Sequence, residues 1–220
     1  MSTPADEPAT TPDAWGAVAA SYRWQEPLER RSTDALLAVL APGRHERLLD
    51  LGAGVGHLVR RAAARGDDAE RGPGSGPTAV VEASPRMVAA GRYAGAGVLR
   101  ADATRLPVAD GSLDVVTAAW LLHVLDPAER AATVAEAARV LRPGGRFGLV
   151  VPAAPRTPWQ RALRRAARTA AASRGLRAFE VPEDLPGLLT DYGLQVRHHR
   201  RTGRGYLADV VVCTRAGTGG

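Results

Sequence analysis

The feature that most constrains the fold is a short apolar run that contains an acid and opens directly into a glycine-rich turn. The run covers residues 47–51 and includes Asp50, the turn at 52–56 has glycine at every second position, and helix-forming residues follow over 57–65. This order predicts a buried strand, a tight turn and a helix. Such a turn lets a ligand approach the backbone at the N-terminus of the helix.

Strand and helix patterns alternate through most of the remaining chain. Strands are predicted at 78–82, 98–100, 113–119, 146–151, 194–201 and 207–214, and helices at 15–40 with a break near Pro27, at 84–93, at 127–141 and at 159–173. Alternation of this kind predicts an α/β fold with a parallel sheet covered on both sides. The last two strands surround a glycine-containing turn and predict a terminal antiparallel hairpin.

The positive charge of the chain is concentrated in one segment. The net charge is +6 over 220 residues, and all 29 basic residues are arginine. Seven of them lie between Arg156 and Arg177, where there is no acid, which leaves 22 arginines against 23 acids elsewhere. Because the rest of the chain is almost neutral, the protein as a whole has no extended positive potential that would attract nucleic acid. We therefore do not expect a nucleic-acid partner.

Composition also excludes several other classes. No apolar run approaches the roughly 20 residues of a membrane-spanning helix, so we expect no span. The single cysteine, Cys213, excludes a disulfide scaffold, and the adjacent His198 and His199 would point to opposite faces of a strand, so we expect no metal. Residues 1–13 are rich in proline, threonine and alanine, and they predict a disordered tail rather than a signal peptide. We expect a cytoplasmic protein.

Two classes of ligand compete for the glycine turn. A nicotinamide or flavin dinucleotide site needs a third glycine three residues after the second, and that position is His57. Asp50, two residues before the first glycine, fits an anion-binding turn poorly but suits the ammonium group of an amino acid. The turn therefore favours S-adenosylmethionine (SAM) over a dinucleotide.

Two further acids point to the same ligand. Glu82, at the end of the second predicted strand, can accept hydrogen bonds from ribose hydroxyls, although NAD sites share this feature. Asp102 follows the third strand and suits a donor such as an adenine amino group. The carboxyl ends of adjacent parallel strands meet at one crevice, so Asp50, Glu82 and Asp102 would line it together. Three acids suit a ligand that is positively charged and rich in hydrogen-bond donors, and SAM has both properties.

Four sequence blocks carry a resemblance to a known family. They are LLDLGAGVGHLVR at 48–60, VVEASPRMVAAGR at 80–92, ADATRLPVADGSLDVVTAAWLLHVLD at 101–126 and EAARVLRPGGRFGLV at 136–150. In this order they resemble the class I SAM-dependent methyltransferases, in the type 11 set that includes enzymes of quinone and natural-product biosynthesis. The resemblance implies a Rossmann-like fold with a seven-stranded, mostly parallel sheet and a C-terminal antiparallel hairpin. It also implies SAM as cofactor and S-adenosylhomocysteine as product.

The same resemblance implies roles for individual residues. Contacts to the methionine part of SAM are implied for Asp50, Gly52, Ala53 and Gly54, and a contact to the ribose is implied for Glu82. Contacts to the adenine are implied for Met87, Asp102 and Ala103, and Ala83 is a further cofactor contact. Ala118, placed just past the fourth strand, would lie near the sulfonium. His123 follows that strand, where the family often has histidine. A neutral imidazole there could accept a proton from the substrate, or it could be a partly buried histidine satisfied by the backbone.

We expect one methyltransferase domain over 14–220. Its parts are a helical lid at 14–43, a SAM-binding core at 44–151, a substrate cap at 152–192 and the hairpin at 193–214, with 66–77 as a surface insertion. Tyr22 in the lid and Trp159 in the cap are candidate substrate contacts. In the cap helix, four arginines from Arg161 to Arg168 share one face, and we expect the opposite, apolar face to pack inward.

These observations predict a SAM-dependent methyltransferase that acts on an oxygen, nitrogen or carbon nucleophile of a small molecule, with an anionic biosynthetic intermediate as one candidate. The alternative is a SAM-binding protein of the same fold that does not methylate, in a regulatory or other biosynthetic role. Methylation of RNA is disfavoured, because no aromatic residues alternate with the arginine face. We expect a monomer or a homodimer.

Overall fold

The computed structural model describes residues 13, 15–22, 25–66, 77–173, 184–203 and 207–217. The expected tail, apart from Asp13, lies outside these residues. So do nearly all of the expected insertion at 66–77, the tip of the terminal hairpin and parts of the expected lid and cap.

Seven helices and seven strands are found in the described residues. The helices are α1 (Ala19–Tyr22), α2 (Glu26–Leu40), α3 (His57–Gly66), α4 (Pro85–Ala90), α5 (Pro127–Val140), α6 (Pro158–Ala172) and α7 (Leu185–Asp191), and a 3₁₀ turn at Gly16–Val18 precedes α1. The strands are β1 (Leu48–Leu51), β2 (Thr78–Val81), β3 (Gly97–Leu99), β4 (Leu113–Ala119), β5 (Leu141–Pro152), β6 (Leu194–Thr202) and β7 (Ala208–Arg215).

The strands form one seven-stranded sheet in the order β3-β2-β1-β4-β5-β7-β6. All neighbouring pairs are parallel except those of β7, which runs antiparallel to both β5 and β6. The predicted fold class is therefore confirmed, including the antiparallel hairpin. The strand order reverses between β1 and β4, and in open α/β sheets ligands bind at such a switch point, outside the carboxyl ends of the strands.

Each face of the sheet is covered by a separate hydrophobic layer. One layer joins Leu49, Leu51, Val116, Phe147 and Leu149 of the sheet to Val134 and Ala137 of α5 and to Leu185 and Leu189 of α7. The other joins Leu48, Val80, Val115, Val150 and Val210 to Leu36 and Leu40 of α2 and to Leu58 and Val59 of α3. Successive residues of a strand point to opposite faces, which is why Leu48 and Leu49 belong to different layers.

Helix α2 is part of this core, whereas we expected it in a lid over 14–43. Leu36 and Leu40 are buried against β5 and β7. A Cβ built on Gly148 in β5 would lie 2.5 Å from Leu40 Cδ1 and 2.9 Å from Leu36 Cδ1. The absence of a side chain at Gly148 therefore lets α2 approach the sheet closely. The described residues before α2, which include Asp13, Ala19 and Tyr22, lie near the carboxyl ends of the strands.

The orientation of α6 differs from our expectation. No residue of α6 is buried, and its least exposed residues are Gln160, Arg164, Ala167 and Ala171, while Trp159 and Leu163 are each 55% exposed. The side chain of Gln160 accepts hydrogen bonds from the backbone N–H groups of Arg156 and Thr157. Gln160 and Arg164 are four positions apart and therefore lie on the same, less exposed face of the helix.

Helix α7 was not predicted from the sequence. Its second and third residues are Pro186 and Gly187, which are typical of turns. Here the proline lies in the first helical turn, where a backbone N–H has no partner within the helix, so the N–H that proline lacks is not missed. Asp184 caps the helix by accepting a hydrogen bond from the Gly187 N–H. A capped first turn thus allows a helix in a segment that reads as a loop.

Gly148→Ala should destabilise the protein by about 1–3 kcal/mol, because the added methyl group overpacks the contact between α2 and β5. Urea denaturation followed by circular dichroism measures this change. Gly97→Ala in β3 is the matched control, since the nearest atom to its added Cβ is 3.9 Å away. Equal stability changes in the two variants would contradict the close packing of α2 at Gly148.

Candidate functional site

The glycine turn connects β1 to α3 at the strand-order switch point. Gly52, Gly54 and Gly56 have φ values of 61°, 54° and 82°, a region that favours glycine. A Cβ on Gly56 would lie 2.4 Å from the Arg92 carbonyl oxygen, so Gly56 is needed for packing. At Gly54 the nearest atom, in the Tyr22 ring, would be 3.8 Å from an added Cβ. The backbone at Gly54 is therefore the part of the turn that a ligand can approach.

Glu82 joins the end of β2 to this turn. Its carboxylate accepts one hydrogen bond from the Gly54 N–H, at 2.8 Å, and another from the Ser84 N–H, also at 2.8 Å. Burial raises the pKa of Glu82, and the hydrogen bonds from Ser84 and Gly54 oppose that rise. Each carboxylate oxygen has more than one acceptor site, so the group can accept further hydrogen bonds from a ligand while it holds the turn.

The described N-terminal residues lie beside the same region. Asp13 accepts a hydrogen bond from the Ser84 hydroxyl, at 2.9 Å, and Ala19 packs in a small cluster with Val55 and Met87. Tyr22 is at the edge of this cluster and close to Gly54. The structure therefore brings Tyr22, Met87 and Glu82 together around the turn, although Tyr22 and Met87 are 65 positions apart in the sequence.

Asp50 is used inside the sheet. Its carboxyl group is buried and accepts a hydrogen bond from the Thr117 hydroxyl of β4, at 2.7 Å. Burial raises the pKa of Asp50 to about 7, while the Thr117 hydrogen bond lowers it and the nearby Glu82 raises it further. The side chain thus links β1 to β4 beneath the switch point. We expected it at the turn, in contact with an amino group.

The other expected adenine contacts are less enclosed. Asp102 is exposed, and its carboxylate accepts a hydrogen bond from the Thr104 N–H, at 2.8 Å. Ala83 is also exposed, and Ala103 packs against the core layer that contains α5. Met87 is the buried member of this group. These residues leave an open side next to β2 and β3.

Ala118 lies within β4, inside the strand predicted at 113–119, and not just past its end, where the resemblance placed it near the sulfonium. It is fully buried in the core, because β4 continues to Ala119. The chain leaves the sheet at Trp120, whose φ of 62° is rare for a residue with a side chain. The next residue, Leu121, lies over the glycine turn, since a Cβ on Gly52 would be 2.6 Å from its Cδ1. Sequence reasoning missed Trp120 and Leu121, although an aromatic residue at the end of a buried strand could have drawn attention to them.

His123 is buried in the loop that follows β4. Its ring meets that of Trp120 edge-on, with the ring centroids 5.8 Å apart. Burial, followed by the positive charges of Arg130 and Arg164, lowers the pKa of His123 to about 3. The imidazole is therefore neutral near pH 7, and it is a weak proton acceptor. Arg130 also donates to the carbonyl oxygens of Leu122 and Leu125, which fixes the loop.

A second group of charges lies behind Tyr22. The Tyr22 hydroxyl donates to the carboxyl group of Glu29, which is 4% exposed. Glu26 beside it pairs with Arg60 and lies 3.6 Å from the His57 ring, whose pKa is lowered by burial. Burial and the charge of Glu26 raise the pKa of Glu29 to about 8, although the Tyr22 hydrogen bond opposes the rise. Sequence reasoning missed Glu29, because nothing in a helix pattern marks one of its acids as buried.

Comparison with known proteins identifies the family. The model of the type 11 methyltransferase domain matches residues 49–149. A malonyl-[acyl-carrier protein] O-methyltransferase of Enterobacter lignolyticus is 31% identical over 185 residues, which cover 83% of this chain and 69% of that protein. The chain belongs to the class I SAM-dependent methyltransferase family.

Other members of this methyltransferase family match a smaller part of their own length. An uncharacterized methyltransferase of Mycobacterium tuberculosis is 40% identical over 113 residues, or 50% of this chain and 42% of that protein. The chain spans about half the length of most of the curated relatives it matches.

Among solved structures, a chain from the complex of the Haloferax volcanii Trm112 activator with a methyltransferase has a TM-score of 0.74 at 19% identity, covering 94% of this chain and 98% of that one.

SAM is the cofactor of this methyltransferase family, and the donor set at the turn fits it. The N–H and carbonyl groups of Gly54 are bonded to Glu82 and Tyr93, but the space at its Cα is uncrowded. This space and the buried carboxylate of Glu82 suit a cation that carries ribose hydroxyls. No helix of the described residues could cross a membrane. The same residues hold no group of three or more His, Cys, Asp or Glu side chains placed as metal ligands.

The raised pKa of Glu29 makes the stability of this protein depend on pH. A carboxyl group whose pKa rises from 4.5 to about 8 on folding stabilises the folded state below about pH 4.5, and this contribution is lost as the pH rises through 8. Between pH 5 and pH 8.5, wild type should lose a few kcal/mol more stability than Glu29→Gln, about 1.4 kcal/mol for each pKa unit.

Urea denaturation of both proteins at the two pH values measures the difference. Glu46→Gln, which removes a partly buried carboxylate that is paired with Arg146, is the control and should keep the wild-type pH dependence. An unchanged pH dependence in Glu29→Gln would contradict the burial of an ionisable group at this position.

Proposed function

We propose that the protein transfers the sulfonium methyl group of SAM to an oxygen, nitrogen or carbon nucleophile of a small molecule that carries an anionic group. The observation that carries this proposal is the Glu82 carboxylate, which is held against the glycine turn by the Gly54 and Ser84 N–H groups. The carboxylate that would accept hydrogen bonds from the ribose hydroxyls is thus oriented before any ligand binds. Little side-chain entropy is therefore lost when the ligand binds.

On the cofactor side, the chain supplies a shaped backbone and a few polar contacts. We assign the ribose to Glu82, the methionine part to the turn at 52–54, and the adenine to the surface formed by Met87, Ala83 and the backbone near Asp102. When bound, SAM supplies a methyl group activated by the positive sulfur. Tyr22 and Leu121 lie on either side of the turn and would exclude water from the methionine end.

On the acceptor side, the candidates are His123 and Arg164. Arg164 is on the inner face of α6, close enough to His123 for its charge to lower the pKa of the imidazole. We propose that Arg164 binds an anionic group of the acceptor. With a pKa of about 3, His123 suits a role as a neutral hydrogen-bonding group that positions the acceptor better than a role as general base.

A named relative supports an anionic acceptor. The Enterobacter protein that covers most of this chain is an O-methyltransferase of a malonyl group, whose free end is a carboxylate. An arginine beside the site would hold such a group, and a carboxylate nucleophile needs no proton acceptor. Where the nucleophile starts protonated, its proton leaves to solvent as the new bond to carbon forms and the bond from carbon to sulfur breaks. Alignment of nucleophile, carbon and sulfur can supply about 7–11 kcal/mol of the barrier reduction.

Titration calorimetry with S-adenosylhomocysteine tests the cofactor assignment. Wild type should bind it, and Glu82→Gln should bind about 10- to 100-fold more weakly, since a hydrogen bond to a charged group contributes about 1.5–3 kcal/mol. Asp110→Asn, at an exposed acid, is the control and should bind like wild type. NAD is titrated in parallel, and binding of NAD in place of S-adenosylhomocysteine would overturn the proposal.

Turnover with SAM tests the acceptor class. A panel of aromatic and aliphatic carboxylates, each with its neutral methyl ester, is assayed by formation of S-adenosylhomocysteine. We expect carboxylates to be methylated in preference to their esters, and Arg164→Gln to raise the KM for them about 10-fold or more. Arg197→Gln, at an exposed arginine of β6, is the control. Binding of S-adenosylhomocysteine without turnover on any acceptor would favour the alternative, a SAM-binding protein that does not methylate.

A further inference from the structure

Within the described ranges, no residue buries the outer surface of α6. Every other helix of the described residues contributes at least one buried side chain, and α6 contributes none over its 15 residues. Its N-terminus is nevertheless fixed by a capping box between Thr157 and Gln160. Most of the stability of a helix in a protein comes from packing of one face, so a helix of this length without a packed face is suited to bind something else.

The side chains of α6 are distributed around it in a definite way. At 3.6 residues per turn, the positions opposite the inner residue Arg164 carry small side chains. These small residues, which form the crest of the helix, are Ala162, Ala166 and Thr169. On one flank of the crest lie Trp159 and Leu163, each 55% exposed, and on the other lie Arg161 and Arg165, both exposed.

The charge of this segment has one sign. Residues 153–173 contain five arginines and no acid, and four of these arginines are exposed. No neighbouring acid on the helix itself can therefore neutralise Arg161 or Arg165. A surface of this kind attracts a dense array of negative charges.

We propose that α6 docks on the surface of a lipid bilayer that contains anionic headgroups. A basic amphipathic helix with tryptophan and leucine on its apolar side lies in the plane of such a surface. The small residues of the crest let the helix approach a flat plane closely. Trp159 then reaches the acyl boundary from one flank, and Arg161 and Arg165 reach the phosphates from the other.

The shape of the surface favours a membrane over a protein partner. A stable protein interface buries roughly 800 Å² on each side and has close shape complementarity. A single convex helix with two large apolar side chains offers neither, whereas a bilayer adapts to it. The inference goes beyond the proposed enzymatic function. It also gives Trp159 a role different from the substrate contact that we expected, since Arg164 and not Trp159 is on the inner face.

Sedimentation of the protein with vesicles tests the docking. Wild type should bind vesicles of equal parts phosphatidylglycerol and phosphatidylcholine much more strongly than vesicles of phosphatidylcholine alone. Each arginine near an anionic surface contributes about fivefold to binding, so the double variant R161Q/R165Q should bind about 30-fold more weakly. W159A should lose about tenfold, because its side chain no longer enters the interface.

The controls separate docking by α6 from non-specific attraction. R197Q/R200Q removes two exposed arginines from β6, and L28A removes an exposed apolar side chain from α2. Both should bind anionic vesicles like wild type. All variants should also bind S-adenosylhomocysteine like wild type, which shows that they fold and keeps this test independent of the acceptor assignment.

Three outcomes would overturn the proposal. One is equal binding to the two kinds of vesicle, and another is an equal loss in R161Q/R165Q and in R197Q/R200Q. The third is tight binding to soluble polyglutamate, abolished in R161Q/R165Q and unaffected in W159A. That result would assign α6 to an acidic macromolecule instead of a bilayer.

Discussion

The hydrogen bond from the Gly54 N–H to Glu82 is the interaction on which the rest of the site depends. It joins the glycine turn after β1 to the end of β2, and so fixes the turn at the point where the strand order reverses. A buried carboxylate is costly unless it is hydrogen-bonded, and here the donors are two backbone N–H groups. The position of the group that would bind a ribose is therefore set by the backbone.

Three buried acidic groups lie near the glycine turn or behind Tyr22, which is close to the turn. Asp50, Glu82 and Glu29 are all buried, and burial raises the pKa of each. Desolvated carboxyl groups favour protonation unless a positive charge is close. A cationic cofactor at the turn would supply that charge, whereas the pyrophosphate of a dinucleotide would add more negative charge. The electrostatics thus favour the same ligand as the replacement of the third glycine by His57.

The sheet and the turn could be predicted from the sequence because both depend on local patterns. Alternating apolar runs mark the strands, and residues 52–56 can form little else than a tight turn. The orientation of α6 could not be predicted, because the helix buries no side chain and so has no packed apolar face for a pattern to mark. The place of α2 could not be predicted either, since the space that it fills is provided by Gly148, more than 100 positions away. Contacts of this kind leave no periodic trace in the sequence.

The distribution of charge bears on the proposed reaction. The turn is surrounded by carboxyl groups, whereas the loop with His123 lies beside Arg130 and Arg164. A positive sulfonium would thus be held on the acidic side and an anionic acceptor on the basic side. When a methyl group passes from a cation to an anion, both charges disappear, so these charged groups serve to bind and align the two reactants. A base with a pKa of about 3 has no part in such a step, so a neutral His123 is consistent with a carboxylate acceptor.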